Sequence, residues 1–335
     1  MNLKTIAAAC VAATTTIAGA QTMPKAPDFL KKGDTIAVMS LASTPKSEYV
    51  DATTNVLKQW GFNVVVSPLA LAKEKLYAGT ADQRTAELLK YLRDPKVKAI
   101  FSSRGGYGSA QILSRISPDT LAKYPKWIIG YSDITSIHSA QLCAGNMSIH
   151  ASMGSKMLSG GPENEINIML LNTLKGKLPK YKVPGHEYNL PGKAHGIIMG
   201  GNLSLIDKIA GSRRYDCLHE DNIPKDIILF IEDVGEDFFG VNGMLDHLYL
   251  SGAMKNVRGL IVGRFTDYKP VSEYKDMNEL IIETVTALNK VYGYDFPICF
   301  DFPVGHDEEW NYPIVEGHKV TLNVTKHKVT LTYDK

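Results

Sequence analysis

Apolar and amphipathic segments alternate through the first half of the chain. Apolar runs of strand length occupy four ranges, at 35–39, 62–66, 97–101 and 127–130. The intervening segments 47–60 and 80–92 place apolar residues at helical spacing, and the first stops at Gly61 while the second stops before Asp94-Pro95. Strands separated by helices of this length predict βαβ units and a mostly parallel sheet.

Proline and glycine interrupt this pattern between residues 160 and 192, where one short helix is predicted over 164–175. Beyond them, the pattern predicts strands at 196–199, 227–231, 259–262 and 298–302, a helix at 276–291 and an antiparallel hairpin at 319–332. We therefore predict an α/β protein with an N-terminal segment 1–20, a first domain 21–160, a linker 161–195 and a second domain 196–335.

The first 20 residues have the composition of a secretory signal peptide. Lys4 is their only charged residue, residues 6–17 are small, apolar or threonine, and Ala18-Gly19-Ala20 precedes a cleavage site at Gln21. A membrane anchor needs about 20 apolar residues, and the threonines disfavour it. Cys10 leaves a lipoprotein as a weaker alternative. We predict a periplasmic or secreted protein with no stable membrane span after signal cleavage.

Composition narrows the classes of function. Hydrophobic residues make up 44% of the chain and charged residues 21%, as in ordinary globular proteins. A net charge of +2 and the lack of a basic cluster give no electrostatic signature of nucleic-acid binding. Beyond the N-terminal segment, Cys143, Cys217 and Cys299 allow at most one disulfide within the chain. No His or Cys spacing indicates a metal, and no cofactor is predicted.

Segment 127–135 holds the main candidate for catalysis. A strand pattern ends at Gly130, Ser132 follows two residues later, and Asp133 begins a predicted helix. A serine at such a turn is held out of the sheet near the positive end of a helix, which suits a nucleophile. Ile134 stands where the second glycine of a G-x-S-x-G turn would lie, and a serine here could equally be a helix N-cap.

Three further candidates follow other predicted strands. The glycine-rich sequence at 104–109 could bring backbone N–H groups close to a ligand or oxyanion, or could be only a tight turn. Glu232 and Asp233 follow a buried strand, where α/β sites gather, although such an acid can also order a loop. His306 is the best placed of the nine histidines to act as a base, although loop histidines are usually only solvated. Together they make a triad in the chain order Ser, Glu, His plausible.

Five short sequences in order resemble those of the LD-carboxypeptidases, serine peptidase family S66. They are Arg-Gly-Gly-Tyr-Gly-Ser at 104–109, Gly-Tyr-Ser-Asp-Ile-Thr at 130–135, Gly-Gly-Asn-Leu at 200–203, Ile-Glu-Asp-Val-Gly-Glu at 231–236 and Gly-His at 305–306. The resemblance spans about residues 30–333. It implies a class I amidotransferase-like N-terminal domain, a swivelling β/β/α C-terminal domain, a site between them and a homodimer.

The resemblance also implies a reaction and a role for each matching residue. Ser132 would be the nucleophile, His306 the general base and then the acid, and Glu232 the residue that orients the imidazole. The expected reaction removes the terminal D-alanine from a murein tetrapeptide, at the bond after the L-centre of the diamino acid, through an acyl-enzyme.

Two further implied contacts concern the oxyanion and the substrate. The backbone N–H groups of Gly106 and Asp133 would form the oxyanion hole. Arg104 is a candidate ligand for the terminal carboxylate of the substrate, or it could only hold its loop through a salt bridge.

Three features depart from the family pattern. His-Ala-Ser-Met at 150–153 stands where many members have His-Gly-Pro, and the sequence after Glu236 lacks an Asp-Arg pair. Export also differs from the cytoplasmic setting of the best-known members. Three alternatives stay open: a microcin-immunity-type peptidase acting on peptidyl or aminoacyl nucleotide analogues, a non-catalytic muropeptide-binding protein, and an esterase with a related triad.

Overall fold

Two β-sheets with helices packed on them make up the part of the chain that the structure describes. The structure is a computed structural model that describes residues 23–222, 226–307 and 309–334 of the 335-residue chain. The predicted signal peptide and its cleavage site before Gln21 lie outside the described residues. None of the described helices is both long enough and apolar enough to cross a membrane.

The first sheet is formed mainly by the N-terminal half. Its strands are β1 Thr35–Met39, β2 Asn63–Val66, β3 Val97–Ser102, β4 Trp127–Gly130, β5 Ser148–His150 and, much later in the chain, β11 Ile314–Glu316. They lie in the order β11-β5-β4-β3-β1-β2, and all neighbours are parallel except β5 and β11. The helices of this half are α1 Ser47–Gln59, α2 Ala81–Arg93, α3 Ala110–Leu113, α4 Pro118–Lys123, α5 Thr135–Cys143, α6 Gly154–Gly160 and α7 Glu165–Leu174.

The second sheet is mixed. Its strands are β6 Lys180–Pro184, β7 Gly192–Asn202, β8 Ile227–Val234, β9 Val257–Thr266, β10 Ile298–Cys299, β12 Lys319–Val324 and β13 Lys328–Tyr333. They lie in the order β10-β9-β8-β7-β12-β13-β6, parallel from β10 to β7 and antiparallel beyond. Its helices are α8 Leu203–Ile209, α9 Phe238–Leu250 and α10 Met277–Tyr292. Short 3₁₀ turns occupy Ser132–Ile134 and Ala253–Asn256.

Local sequence explains where the long helices begin and end. Helix α2 begins after a capping box in which the Gln83 N–H donates to the Thr80 hydroxyl and the Thr80 N–H donates to the Gln83 side chain. Helix α10 begins after Asp276, whose carboxylate accepts the N–H of Glu279, and it ends at Gly293 with a left-handed φ of 71°. These signals made both helices predictable.

The predicted helices and strands of the first half are present, and the ranges predicted for the strands and for α1 and α2 agree with the structure within one residue. The helix predicted to begin at Asp133 begins instead at Thr135, after a 3₁₀ turn. The predicted linker 161–195 holds the expected helix, α7, and also β6, which was not predicted. As the outermost strand, β6 tolerates Pro184 at its end. Strands β5 and β11 are too short to show a periodic pattern, so both were missed. The strand predicted over 298–302 stops at Cys299, because the Phe300 N–H donates to the Asn189 side chain instead.

A buried carboxyl group joins the two sheets. Glu316 of β11 is fully buried, and its Oε2 accepts the N–H of Gly200 in β7 at 3.3 Å. Its Oε1 has no hydrogen-bond partner among the described residues. Burial raises the pKa of Glu316 to about 8. The folded chain therefore holds this proton at neutral pH.

We expect Glu316→Gln to stabilise the protein at neutral pH but hardly at pH 5. Between pH 4.5 and about 8 the unfolded chain releases the Glu316 proton and the folded chain keeps it, so stability falls as pH rises through this window. Glutamine keeps an acceptor for Gly200 and cannot ionise, so the gain at pH 7 is about 3 kcal/mol. Urea unfolding at the two pH values measures it, and an equal change at both would show that ionisation is not the cause.

Candidate active site

The turn after β4 presents Ser132 in a strained backbone conformation. Strand β4 is fully buried, and Ser132 follows it with φ at 62°, in the left-handed region that non-glycine residues seldom occupy. The turn is tight, since a Cβ on Gly130 would lie 2.9 Å from the side chain of Ile134. Strain of this kind concentrates at functional sites, and a sharp strand-to-helix turn exposes a nucleophilic hydroxyl.

The glycine-rich loop after β3 packs directly against this serine. A Cβ on Gly105 would lie 3.0 Å from the Ser132 Cβ, so only glycine lets the loop backbone come this close. Gly106 has φ at 97°, and a Cβ there would lie 2.6 Å from the Ser43 hydroxyl. The loop therefore presents bare backbone beside the hydroxyl of Ser132.

Two residues of the second half complete a hydrogen-bonded chain with Ser132. His306 Nε2 lies 2.8 Å from the Ser132 Oγ, and His306 Nδ1 lies 2.7 Å from the Glu232 Oε2. The prediction that Glu232 follows the end of its strand was wrong, because β8 continues to Val234 and contains Glu232. A bulge in the β8–β9 pairing between Ile231 and Asp233 lies at this position.

The electrostatics favour a histidine that accepts a proton from serine. The Glu232 side chain is fully buried, and its Oε1 has no hydrogen-bond partner among the described residues. Its carboxylate accepts from Nδ1–H, which leaves Nε2 as the acceptor for the Ser132 hydroxyl. Burial opposes a charge on His306, but the charge and hydrogen bond of Glu232 outweigh it, so the pKa of His306 lies above 6.5.

The hydroxyl of Ser132 and the ring of His306 line one cavity of about 390 Å³. Of the other predicted site residues, Arg104 and Gly106 also line it. The Arg104 guanidinium donates to the carbonyl of Thr44 at 2.9 Å. This contact with the chain is to a backbone carbonyl, whereas the sequence had suggested a salt bridge as the alternative to a substrate contact. The structure thus brings the residues of the glycine loop, the serine turn and the histidine loop together around one space.

Asp133 is buried and is not among the residues that line the cavity. Its carboxylate accepts the N–H of Ser109 at 2.7 Å, and the Ser109 hydroxyl donates to the carbonyl of Asp133. Burial raises the pKa of the Asp133 carboxyl, although hydrogen bonds from Ser109 oppose the shift. These two bonds tie the turn that carries Ser132 to the glycine-rich loop.

Several residues that line the cavity were not predicted as site residues from the sequence. They include Tyr49 of α1, Tyr131, Met153 and Val234. Tyr131 and Val234 lie inside the matching family sequences, so their neighbours could have indicated them. Tyr49 lies on an ordinary amphipathic helix, and nothing in the local pattern distinguishes it.

Other chemistry is limited in the described part of the chain. His138 is fully buried between the Ser148 hydroxyl and the Gly130 carbonyl, and burial lowers its pKa to about 4. Cys143, Cys217 and Cys299 are free thiols. No group of three or more His, Cys, Asp or Glu side chains among the described residues could hold a metal.

A serine hydroxyl, an imidazole and a buried carboxylate joined in this order are typical of a serine hydrolase. Comparison with known proteins specifies the class. The model of the LD-carboxypeptidase N-terminal domain matches residues 36–151, and that of the C-terminal domain matches residues 195–322. The chain therefore belongs to the LD-carboxypeptidase family of serine carboxypeptidases, and its two-domain α/β architecture is that of the family.

Individual relatives agree with this assignment. A probable murein peptide carboxypeptidase of Bacillus subtilis is 29% identical over 90% of this chain and 92% of its own length. The crystal structure of a muramoyltetrapeptide carboxypeptidase from Oxalobacter formigenes has a TM-score of 0.75 at 23% identity, covering 90% of this chain and 99% of that one. The microcin C7 self-immunity protein MccF, in complex with aspartyl sulfamoyl adenosine, has a TM-score of 0.73 at 20% identity, covering 93% and 99%. At these identities the two structures show a shared fold.

Proposed function

We propose that this chain removes the terminal D-alanine from murein tetrapeptides, with Ser132, His306 and Glu232 as its catalytic triad. The observation that carries the proposal is the continuous hydrogen-bonded chain from Ser132 through His306 to Glu232. Ser132 and His306 line a cavity that can receive a substrate, and the chain belongs to a family of serine carboxypeptidases. The Bacillus subtilis relative, a probable murein peptide carboxypeptidase, supports the substrate class.

The reaction begins with attack on the carbonyl carbon that follows the L-centre of the diamino acid. His306 Nε2 takes the Ser132 proton as the Oγ–C bond forms, and the buried Glu232 carboxylate stabilises the resulting imidazolium. His306 then gives the proton to the amine of the departing D-alanine, and the C–N bond breaks. A water molecule, deprotonated by His306, hydrolyses the acyl-enzyme and restores the Ser132 hydroxyl.

The negative oxygen of each tetrahedral intermediate requires preorganised donors. The backbone N–H groups of Gly106 and Asp133 serve this purpose in the proposal. The close approach of the glycine loop to the Ser132 side chain supports Gly106, and the position of Asp133 next to the nucleophile supports the second donor. The bonds between Asp133 and Ser109 hold the two donors in a fixed relation.

A carboxypeptidase must also recognise the free end of its substrate. In the proposal, Arg104 binds the terminal carboxylate of D-alanine, because its exposed side chain lines the cavity that contains Ser132. A tetrapeptide ending in D-alanine should be cleaved, whereas the same peptide ending in a D-alanine amide should be a poor substrate. Liquid chromatography of the products measures both, and equal cleavage of acid and amide would contradict a carboxypeptidase.

A second candidate is a peptidase acting on aminoacyl nucleotide analogues, as in the microcin-immunity branch. Tyr49 and Tyr131, two rings that line the cavity, favour it because a nucleobase can stack on an aromatic face. Aspartyl sulfamoyl adenosine is the direct test substrate. Its hydrolysis together with an intact tetrapeptide would replace the first proposal with this one.

The proposed setting is the periplasm, and the proposed assembly is a homodimer. The sequence pattern of residues 1–20 supports export, which would bring the enzyme to periplasmic murein or its released fragments. The dimer rests on the family resemblance, and sedimentation of the purified protein tests it.

Changing Glu232 to glutamine should slow the enzyme and shift its pH dependence. The imidazole must be neutral to act as a base, so kcat/KM falls as pH drops through the His306 pKa, which lies above 6.5. Glutamine removes the charge that raises this pKa. We expect kcat/KM to fall about 10²- to 10⁴-fold and the acidic limb of its pH profile to move to lower pH. An unmoved acidic limb would show that Glu232 does not set the pKa of the base.

A further inference from the structure

The loop that carries His306 is held to the first sheet by buried residues outside the triad. We infer that His150, Asn311 and Ser152 form an interdomain clasp that positions His306 against Ser132. The inference rests on the proposed function, since it assigns these residues to the geometry of the same site. None of the three is among the residues that line the cavity, so they are positioning residues rather than catalytic ones.

Topology brings the two parts of the clasp together. After His306 the chain leaves the second sheet and forms β11 at the edge of the first, where Ile314 pairs with His150 at the end of β5. Asn311 lies in the segment between His306 and β11. The base is therefore on a short connection between the sheets, while the nucleophile lies on the first sheet.

Asn311 is the centre of the clasp. Its Oδ1 accepts from the Gly305 N–H at 3.3 Å and from His150 Nε2 at 3.1 Å. The Gly305 N–H can only donate, which identifies its partner atom as the amide oxygen, and His150 Nε2 must then carry the proton to bind the same oxygen. The Ser152 hydroxyl donates to the Asn311 carbonyl at 3.1 Å. All three clasp side chains are buried, so water competes little for these bonds.

The hydrogen bond from the Gly305 N–H to Asn311 connects the clasp to His306, the proposed base. Gly305 directly precedes His306 and has φ at 143°, and a Cβ there would lie 2.9 Å from the carbonyl of Arg264. Glycine at this position is required sterically, but it also gives the backbone many conformations. Asn311 restricts them by binding the Gly305 N–H, and that restriction sets the direction of the imidazole.

Packing and ionisation both support a rigid clasp. The ring of Tyr131 lies 5.0 Å from that of His306 and 5.9 Å from that of His150, so it packs against both. His150 is fully buried, and burial lowers its pKa to about 3, so its ring stays neutral near pH 7. Its bond to Asn311 therefore keeps one form while His306 gains and loses a proton.

The sequence 150–153, which departs from the common family pattern, supplies two of these contacts. His150 and Ser152 both bind Asn311, and the next residue, Met153, lines the cavity. Ser152 stands two positions after the histidine, where many family members have proline, and a proline there has no hydroxyl to donate. The departure therefore adds a contact between the domains of this chain.

Two near-isosteric variants separate positioning from packing. In His150→Gln the amide nitrogen can take the place of Nε2 and donate to Asn311, whereas His150→Met fills similar space without a donor. We expect kcat on the tetrapeptide to fall about 10- to 100-fold for methionine and less than about threefold for glutamine, with KM unchanged in both. Ser152→Ala, a smaller change, should lower kcat only a few-fold and serves if the histidine variants fail to fold.

A second readout makes the test independent of the natural substrate. The rate at which diisopropyl fluorophosphate phosphorylates the Ser132 Oγ, with release of fluoride, depends on the serine–histidine geometry, so it should fall in the methionine variant and recover in the glutamine variant. Equal rates in both variants, at matched unfolding midpoints, would overturn the clasp. An unaltered chain that reacts with the probe but leaves the tetrapeptide intact would refute the proposed substrate while the comparison of variants still decides the clasp. An unaltered chain that does not react at all would refute the triad and the clasp with it.

Discussion

Replacing Ser132 by alanine is expected to abolish hydrolysis of the tetrapeptide, with kcat reduced by about 10⁴-fold or more. The reason is chemical, because the reaction needs a covalent bond from the Ser132 Oγ, the hydroxyl that lies 2.8 Å from His306 Nε2. The change also removes only one oxygen from a partly exposed side chain. We therefore expect the unfolding midpoint to stay within a few degrees of the unaltered value.

The measurement is release of D-alanine, followed with a D-amino-acid oxidase assay. Ser251→Ala is the matched control, since it removes a serine hydroxyl at the end of α9 that contacts the Leu248 carbonyl. The control should retain full activity. Activity in Ser132→Ala within tenfold of that control, at equal folded protein, would contradict Ser132 as the nucleophile.

Replacing His306 by glutamine should be comparably severe, with kcat reduced by about 10⁴-fold or more. Glutamine can occupy the space between Ser132 and Glu232, but its amide cannot accept a proton at neutral pH. The remaining activity should also lose the acidic limb of the pH profile, because the titrating base is gone.

The two effects should not add. Ser132 and His306 act as one unit, so the double variant should be no slower than the slower single variant. His327→Gln, an exposed histidine in the turn between β12 and β13, is the control for histidine loss. A double variant much slower than either single one would indicate that the two residues act independently.

The strained turn shows what the sequence could and could not predict about the site. The hydrophobic run before Gly130 and the helical pattern after Ser132 predicted a strand-to-helix turn, because both signals are local. The left-handed φ of Ser132 was not predictable from these signals, since serine usually avoids that region. The turn that contains Ser132 is tied through Asp133 to Ser109, which lies 24 residues away in sequence, and a local pattern does not show such a tertiary contact.

The second sheet gives the same lesson for Glu232. A run of apolar residues ending at Ile231 predicted the end of a strand, because a charged residue rarely continues a buried one. The structure extends β8 through Glu232 and Asp233, since each acid has a specific hydrogen-bond partner. Glu232 binds His306, and Asp233 accepts bonds from Asn202 and Ser204. Partners that lie 29 to 74 residues away in sequence leave no trace in a local pattern.

The position of β11 was beyond sequence analysis for a related reason. Three residues are too few to reveal which sheet a strand joins, and the strands just before it in the chain, β6 to β10, belong to the second sheet. Pairing with β5 returns the chain to the first sheet and brings the segment after His306 against the nucleophile domain. The domains predicted from the sequence are consecutive segments, so they place β11 in the second domain and not in the first sheet. The proposed clasp depends on the position of β11 in the first sheet.

Mass spectrometry of a murein tetrapeptide, incubated with the unaltered chain and in parallel with Ser132→Ala, tests the central claim most directly. The account predicts that the tetrapeptide loses one alanine residue with the unaltered chain and stays intact with the variant. A tetrapeptide left intact by both proteins, or shortened equally by both, would contradict a serine LD-carboxypeptidase acting through Ser132.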